Sequence, residues 1–106
     1  VGGLLAMPLP DTLKAAQHDR AIATVERSDK WVAQAPQMFR LGALLHALVA
    51  EELSGFAGIT DEASAMERQG VSPRLVQPSG HNFKVTYPQD FALAEAMLAW
   101  RQKESL

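Results

Sequence analysis

The sequence predicts one α/β domain, because apolar strand-like stretches alternate with stretches of helical periodicity. Its 106 residues, 47% of them hydrophobic and 21% charged, suffice for one domain and leave no room for two. An apolar run over residues 1–9 predicts a strand buried on both faces, as in a parallel sheet. Leucines at helical spacing from residue 41 predict an amphipathic helix. The predicted order is strand, hairpin, helix, helix, strand, strand and helix.

The first strand should leave the sheet at Pro8 and Pro10, because proline cannot donate to a ladder. The chain starts at Val1 rather than methionine, and its first apolar run resembles the interior of a domain. We therefore expect a piece of a longer protein.

Composition excludes several classes of protein. Ten basic residues against twelve acidic ones give no basic excess, which argues against a nucleic-acid partner. The sequence has no cysteine, which excludes disulfide scaffolds and thiolate zinc sites and fits a reducing cytoplasm. No apolar run approaches the roughly 20 residues of a membrane span, so we expect no membrane partner and a cytoplasmic location.

Residues 11–28 predict a β-hairpin. Two short segments, 11–16 and 21–28, flank the turn at residues 17–20, and the second segment has a period of two. Large aliphatic side chains are few between residues 11 and 30: Leu13, Ile22 and Val25. A two-stranded ribbon with so little core is marginal in water, so we expect it to lean on a partner subunit.

Residues 31–39 lack a clear period and contain Pro36, so they predict an irregular loop. The following helix should run from Leu41 to about Leu53. Thr60, before two acidic residues, predicts the N-cap of a second helix that ends near Gln69.

The remaining segment predicts two short strands and a last helix. The strands are residues 75–76 and 83–85, separated by a turn-like PSGHN sequence. The spacing of Thr86 and Gln89 fits a capping box. The apolar stripe of the last helix comprises Phe91, Leu93, Ala94, Met97 and Leu98.

Polar residues at the ends of elements are the candidates for binding. Thr12 and Lys14 fall on the first hairpin strand, Arg27 on the second, Thr60 at a helix start and Lys84 in a short strand. Two cations with hydroxyl donors could hold a phosphate. The alternative, preferred for each residue taken singly, is an ordinary cap or a solvated charge. The three histidines are far apart, and the sequence has no nucleophile elbow or glycine-rich phosphate loop.

Four stretches carry a family resemblance: residues 11–14 (DTLK), 25–39 (VERSDKWVAQAPQMF), 59–64 (ITDEAS) and 82–95 (NFKVTYPQDFALAE). They resemble, in this order, the 2-C-methyl-D-erythritol 4-phosphate cytidylyltransferases, and they span nearly the whole chain. The last stretch matches the family pattern NxKVTxPxDLALAE. The resemblance implies the carboxy-terminal half of a Rossmann-like nucleotide-diphospho-sugar transferase domain with a projecting β-arm at about residues 8–30.

The resemblance also implies a function and a site. Family members are homodimers that join CTP to 2-C-methyl-D-erythritol 4-phosphate, release pyrophosphate and use Mg²⁺. Thr12 and Arg27 match arm residues that contact the methylerythritol phosphate in the partner's active site. Thr60 and Lys84 match substrate-binding residues of the main body, with Lys84 on the substrate phosphate.

Two departures from the family pattern matter. Ala35 stands where the family usually has threonine, so a hydroxyl near the substrate is missing. The amino-terminal half, which carries the CTP and metal site, is absent. We therefore expect no catalytic residue or metal ligand in this chain, Mg²⁺ bound mainly by the missing half, and no activity from the 106 residues alone.

Two alternatives stay open. One is a cytidylyltransferase for another polyol phosphate, such as ribitol 5-phosphate, because the arm and the ITDEAS motif do not fix the acceptor. The other is a non-catalytic dimerisation module, because the chain has no recognisable CTP motif.

Overall fold

The chain forms a small mixed sheet, a separate two-stranded hairpin and three helices. The structure, a computed structural model, describes residues 2–79 and 82–104. The elements are β1 (Gly2–Pro8), β2 (Leu13–Gln17), β3 (Arg20–Val25), β4 (Trp31–Phe39), α1 (Leu41–Ala50), a 3-10 turn (Glu52–Ser54), α2 (Glu62–Arg68), β5 (Arg74–Val76) and α3 (Pro88–Glu104).

Strand β1 lies at the centre of the sheet, with β4 antiparallel on one side and β5 parallel on the other. The predicted first strand and its end at Pro8 are confirmed, but the sheet is mixed rather than parallel. Leu4 and Ala6 are buried on one face, whereas Leu5 and Met7 are only half-buried. The expectation of burial on both faces is therefore wrong for the described residues: Leu4 and Ala6 line a cavity together with Ala63 and Glu67 of α2, whereas Leu5 lines an open groove.

Residues 31–39, predicted as an irregular loop, instead form strand β4. The register between β1 and β4 shifts at Leu5, which lies opposite residues 34–36. This bulge accommodates Pro36, since a bulged residue need not donate an N–H to the ladder. The proline interrupts the strand locally and does not prevent it.

The predicted hairpin is confirmed, with β2 and β3 antiparallel to each other. His18 and Asp19 occupy its tip with φ of 52° and 63°, the pair of left-handed residues that a type I′ turn requires. Both strands are largely exposed, and Ile22 keeps 61% of its surface accessible. The hairpin therefore lacks a core of its own.

Helices α1 and α2 pack together around Ala47, Ala65 and Met66, which are almost inaccessible to solvent. The predicted helix from Leu41 is confirmed as α1, although it ends at Ala50, where the 3-10 turn follows.

An ion pair between a buried carboxylate and an exposed arginine connects the ends of these two helices. Glu51, 7% exposed, accepts a hydrogen bond from Arg68 Nη1 at 2.9 Å. Ser54 Oγ lies 3.0 Å from the Glu51 carbonyl oxygen, to which it donates. These contacts fix the corner between α1 and α2.

The carboxy-terminal segment differs from its prediction in two places. Strand β5 confirms the first short strand, but residues 83–85 are irregular. Part of the predicted PSGHN turn, residues 80 and 81, lies outside the described residues. The capping-box prediction is also wrong: Asp90, not Gln89, accepts hydrogen bonds from the Thr86 and Tyr87 N–H groups, at 2.8 and 2.9 Å.

Large apolar surfaces remain uncovered in this chain. The stripe of α3 is exposed or half-buried throughout, and Phe91 keeps 67% of its surface accessible. A groove of about 340 Å³ lies along the sheet between Leu5, Pro36, Met38 and Val76. Over the described ranges, no helix has the length and apolarity to cross a membrane.

Candidate functional site

Thr12 and Arg27 lie together at the base of the hairpin. Thr12 directly precedes β2 and Arg27 follows β3 by two residues, whereas the sequence placed both on the strands themselves. Leu13 pairs with Val25, so the two candidates flank the last pair of the ribbon. Both side chains are exposed. Lys14, which does lie on β2, donates to Thr24 Oγ1 at 2.7 Å across the hairpin.

Backbone contacts hold Arg27 at this base. Its Nη1 donates to the carbonyl oxygens of Leu9 and Pro10, at the end of β1. Lys30 N donates to the Arg27 carbonyl oxygen at 3.0 Å, and Leu9 N donates to the Lys30 carbonyl oxygen at 3.1 Å. Within the described residues these bonds engage only Nη1 of the guanidinium, which leaves Nε and Nη2 available for an anion.

Thr60 precedes α2 but is not its N-cap, so this prediction is wrong. Asp61 is the cap, with an extended backbone, and its Oδ1 accepts from Ser64 N at 2.8 Å. Ser64 Oγ accepts from Asp61 N and from Thr60 N, at 3.1 and 3.0 Å. A carboxylate is the better partner for the positive end of a helix. The exposed Thr60 hydroxyl is therefore not needed for capping.

Gln37 of β4 connects the sheet to the start of α2, a role that the sequence did not reveal. Its Nε2 donates to Asp61 Oδ2 at 2.9 Å, and its Oε1 accepts from Ala63 N at 3.0 Å. Both ends of the amide are therefore used. The two partners are distant in sequence, so no spacing rule indicates the contact.

The Asp61 carboxylate is held in its ionised form. Partial burial raises the pKa of Asp61, but the hydrogen bonds from Gln37 and Ser64 outweigh this effect and leave the pKa below its ordinary value. The carboxylate is thus a fixed structural acceptor next to Thr60.

Lys84 lies in the irregular segment between β5 and α3 and is exposed. Across residues 2–79 and 82–104 it has no acidic partner and no hydrogen-bond acceptor, so its ammonium group is free to bind an anion. The structure links neither Thr60 nor Lys84 to the hairpin base by a hydrogen bond among the described residues. It therefore brings Thr12 together with Arg27 and leaves the other two candidates on the body.

A cavity of about 250 Å³ between the sheet and α2 includes Asp29, Asp61 and Glu67 in its lining. In the described part of the chain, no three His, Asp or Glu side chains converge to hold a metal ion. His18 lies in the hairpin turn and His46 is exposed on α1.

Comparisons with known proteins agree over most of the chain. A family model described as "IspD: 2-C-methyl-D-erythritol 4-phosphate cytidylyltransferase" matches residues 1–100. The "Bifunctional enzyme IspD/IspF" of Albidiferax ferrireducens is 63% identical over 101 residues, which cover 95% of this chain and 23% of that protein. The "2-C-methyl-D-erythritol 4-phosphate cytidylyltransferase" of Cupriavidus pinatubonensis is 58% identical over 99 residues, 92% of this chain and 39% of that protein.

A solved structure is similar to this chain in fold as well as in sequence. The crystal structure of a 4-diphosphocytidyl-2C-methyl-D-erythritol synthase is similar with a TM-score of 0.81 at 48% identity, over 92% of this chain and 42% of that one. The predicted α/β fold is therefore confirmed. The chain spans less than half the length of these relatives.

Proposed function

Because the chain belongs to the 2-C-methyl-D-erythritol 4-phosphate cytidylyltransferase family, we propose that the full-length protein transfers CMP from CTP to 2-C-methyl-D-erythritol 4-phosphate. This chain is the carboxy-terminal, acceptor-binding and dimer-forming half of that enzyme. The observation that carries the proposal is the family match over residues 1–100, which includes Thr12, Arg27, Thr60 and Lys84.

In the proposed reaction, an oxygen of the acceptor phosphate attacks the α-phosphorus of CTP. A new P–O bond forms to that phosphorus, the bond between the α- and β-phosphates breaks, and pyrophosphate leaves. Catalysis of such a step is mainly positioning and charge stabilisation. Arg27 and Lys84 hold the attacking phosphate, while the hydroxyls of Thr12 and Thr60 make further contacts with the acceptor.

The hairpin acts as an arm that reaches the partner subunit. Its strands are exposed on both faces, which supports a role in an interface rather than in the body of one subunit. Arg27 and Thr12 at its base then meet the acceptor in the partner's site. The interface is isologous, so each subunit completes the site of the other.

CTP and Mg²⁺ belong to the remaining half of the enzyme in this proposal. Bound Mg²⁺ would neutralise charge on the CTP phosphates. Among the described residues of this chain, no three His, Asp or Glu side chains lie close enough together to hold the ion by themselves. A cytoplasmic location remains a prediction.

The test uses a full-length enzyme, in which the remaining sequence of one of the relatives completes this chain. Pyrophosphate release from CTP is measured with 2-C-methyl-D-erythritol 4-phosphate and, separately, with ribitol 5-phosphate. The proposal expects the larger kcat/KM for the methylerythritol acceptor. A larger value for ribitol 5-phosphate would favour the alternative polyol phosphate.

A second measurement separates an enzyme half from a self-sufficient module. Calorimetric titration of the 106 residues with CTP should show no heat of binding, because the proposal places the CTP site in the other half. Binding comparable to that of the full-length enzyme would contradict the division of roles.

A further inference from the structure

An amide pair joins the segment of Lys84 to strand β4. Asn82 Nδ2 donates to Gln34 Oε1 at 3.1 Å and to the Ala35 carbonyl oxygen at 3.0 Å. Gln34 Nε2 donates in return to the Asn82 carbonyl oxygen at 3.1 Å. Three hydrogen bonds thus connect Asn82 with Gln34 and Ala35 of β4, which lie 48 and 47 positions earlier in the sequence.

These side-chain hydrogen bonds attach the segment of Lys84 to β4, since the segment has no backbone pairing with a strand. Residues 82–86 form no strand, so backbone pairing does not fix their position. The next hydrogen bonds that fix this segment are at Asp90, whose carboxylate accepts from Thr86 N and Tyr87 N. Lys84 lies between these two fixed points and only two residues after Asn82, a span of at most about 7 Å.

Gln34 and Asn82 are both half-buried, whereas Lys84 is exposed and has no partner among the described residues. The two bonds between Gln34 and Asn82 are therefore partly shielded from water, whereas the lysine is not. A shielded hydrogen-bonded contact keeps its geometry better than an exposed one, which water can replace. The contacts at Asn82 therefore fix the position of the backbone two residues before Lys84.

We propose that Asn82 is a positioning residue, which holds Lys84 at a fixed place relative to β4 so that its ammonium group meets the acceptor phosphate. The inference rests on the proposed function, because it takes Lys84 as a phosphate ligand. Asn82 itself does not touch the substrate. Its loss acts through Lys84 and leaves CTP binding unaffected.

A double-mutant cycle in the full-length enzyme tests this coupling. Asn82→Ala should lower kcat/KM for the acceptor by about 10- to 100-fold, the cost of a displaced positioning group. The KM for CTP should stay within about 3-fold. In a Lys84→Ala background, Asn82→Ala should cost less than about 3-fold, because its effect passes through the missing lysine.

Matched variants exclude a general structural effect. Gln34→Ala removes the other half of the amide pair and should act in the same direction as Asn82→Ala. Gln77→Ala removes an exposed amide five residues earlier and should leave acceptor kinetics unchanged. Far-ultraviolet circular dichroism and thermal melting confirm that each variant is folded. If Asn82→Ala fails to fold, the Gln34→Ala and Lys84→Ala cycle gives the same test.

The outcomes separate this inference from the function on which it rests. Full additivity of Asn82→Ala and Lys84→Ala would overturn the positioning role. So would wild-type acceptor kinetics in Asn82→Ala while Lys84→Ala is impaired, and the proposed function would then stand. Unchanged acceptor kinetics in Lys84→Ala would overturn both the role of Lys84 and this inference.

Discussion

Gln37 shows how one side chain can define the surroundings of a candidate site. Its amide contacts the Asp61 carboxylate at 2.9 Å and the Ala63 N–H at 3.0 Å, so it satisfies two groups in the first turn of α2. A hydrogen bond to a charged group contributes about 1.5–3 kcal/mol, more than a neutral one. The exposed Thr60 therefore sits next to a well-fixed helix start.

The Asp61 carboxylate should make stability depend on pH. Its pKa is lowered in the folded state, because the bonds from Gln37 and Ser64 outweigh its partial burial. Its contribution is then present above the unfolded pKa of about 3.9 and is lost as pH falls through the folded pKa. Urea unfolding of the full-length enzyme should show the wild type more stable than Asp61→Asn at pH 7.

The difference between these two proteins should shrink below about pH 4, since asparagine does not titrate. Gln37→Ala should weaken the same pH dependence, because it removes one donor to the carboxylate. A constant difference between wild type and Asp61→Asn from pH 7 to pH 3 would contradict the assigned pKa direction.

Thr60 offers a separation of stability from binding. Because Asp61 caps α2, Thr60→Ala should change the free energy of unfolding by less than about 0.5 kcal/mol. Asp61→Ala removes the cap and also the acceptor of the Gln37 bond, so it should cost about 2 kcal/mol or more. Thr60→Ala should still lower kcat/KM for the acceptor by about 2- to 10-fold, the value of one neutral hydrogen bond.

Thr60→Ser keeps the hydroxyl and should preserve both properties. Wild-type acceptor kinetics in Thr60→Ala would contradict a role of Thr60 in substrate binding.

At the scale of elements, local signals were predictable from sequence and long-range pairing was not. The hairpin and α1 were predicted because a turn, a period of two or a helical stripe lies within a few residues. Strand β4 was missed because its bulge opposite Leu5, which makes Pro36 acceptable, depends on the register with β1. The irregular residues 83–85 were misassigned because a β-rich composition does not guarantee a pairing partner.

The candidate site residues also differ in whether a local sequence signal indicates them. Arg27 and Lys84 were proposed from charge at the ends of elements and from family motifs, and their roles stay predictions. Gln37 and Asn82 were not, because their roles come from contacts across 24 and 48 positions of the chain. Side-chain amides carry no charge pattern that would have indicated these contacts.

The corner between α1 and α2 makes a prediction at the element scale. Gly58 has a φ of 78°, and a Cβ there would overlap the Arg68 guanidinium, which pairs with Glu51. Gly58→Ala should therefore destabilise the full-length enzyme by more than the roughly 1–2 kcal/mol of left-handed backbone strain alone. Denaturant unfolding measures the difference.

Two other glycines provide matched controls. Gly55 has a φ of 65° but open space around its Cβ position, so Gly55→Ala should cost the backbone strain only. Gly42 lies in α1 with nothing within 4 Å, so Gly42→Ala should be neutral or stabilising by up to about 1 kcal/mol. Equal costs for Gly58→Ala and Gly55→Ala would show that Arg68 moves without loss.

At the scale of the whole molecule, the uncovered surfaces agree with an enzyme half. The chain spans less than half the length of the relatives it matches. The apolar stripe of α3, the sheet groove and the hairpin are all accessible to solvent in this chain. Exposed apolar patches on a protein usually mark contacts with another part of the structure or with a partner. In our account, the rest of the enzyme covers the first two and the second subunit covers the hairpin.

The central claim is that one acceptor site takes Arg27 from one subunit and Lys84 from the other. A mixed dimer of the full-length enzyme tests it directly, by combining an Arg27→Ala subunit with a Lys84→Ala subunit, each strongly impaired but still measurably active as a homodimer. One site of the heterodimer then collects both defects and the other collects neither, so activity should recover to about half the wild-type value per heterodimer. If both residues serve the same subunit's site, every site keeps one defect. An absence of recovered activity, with heterodimers verified by native mass spectrometry, would contradict the shared site.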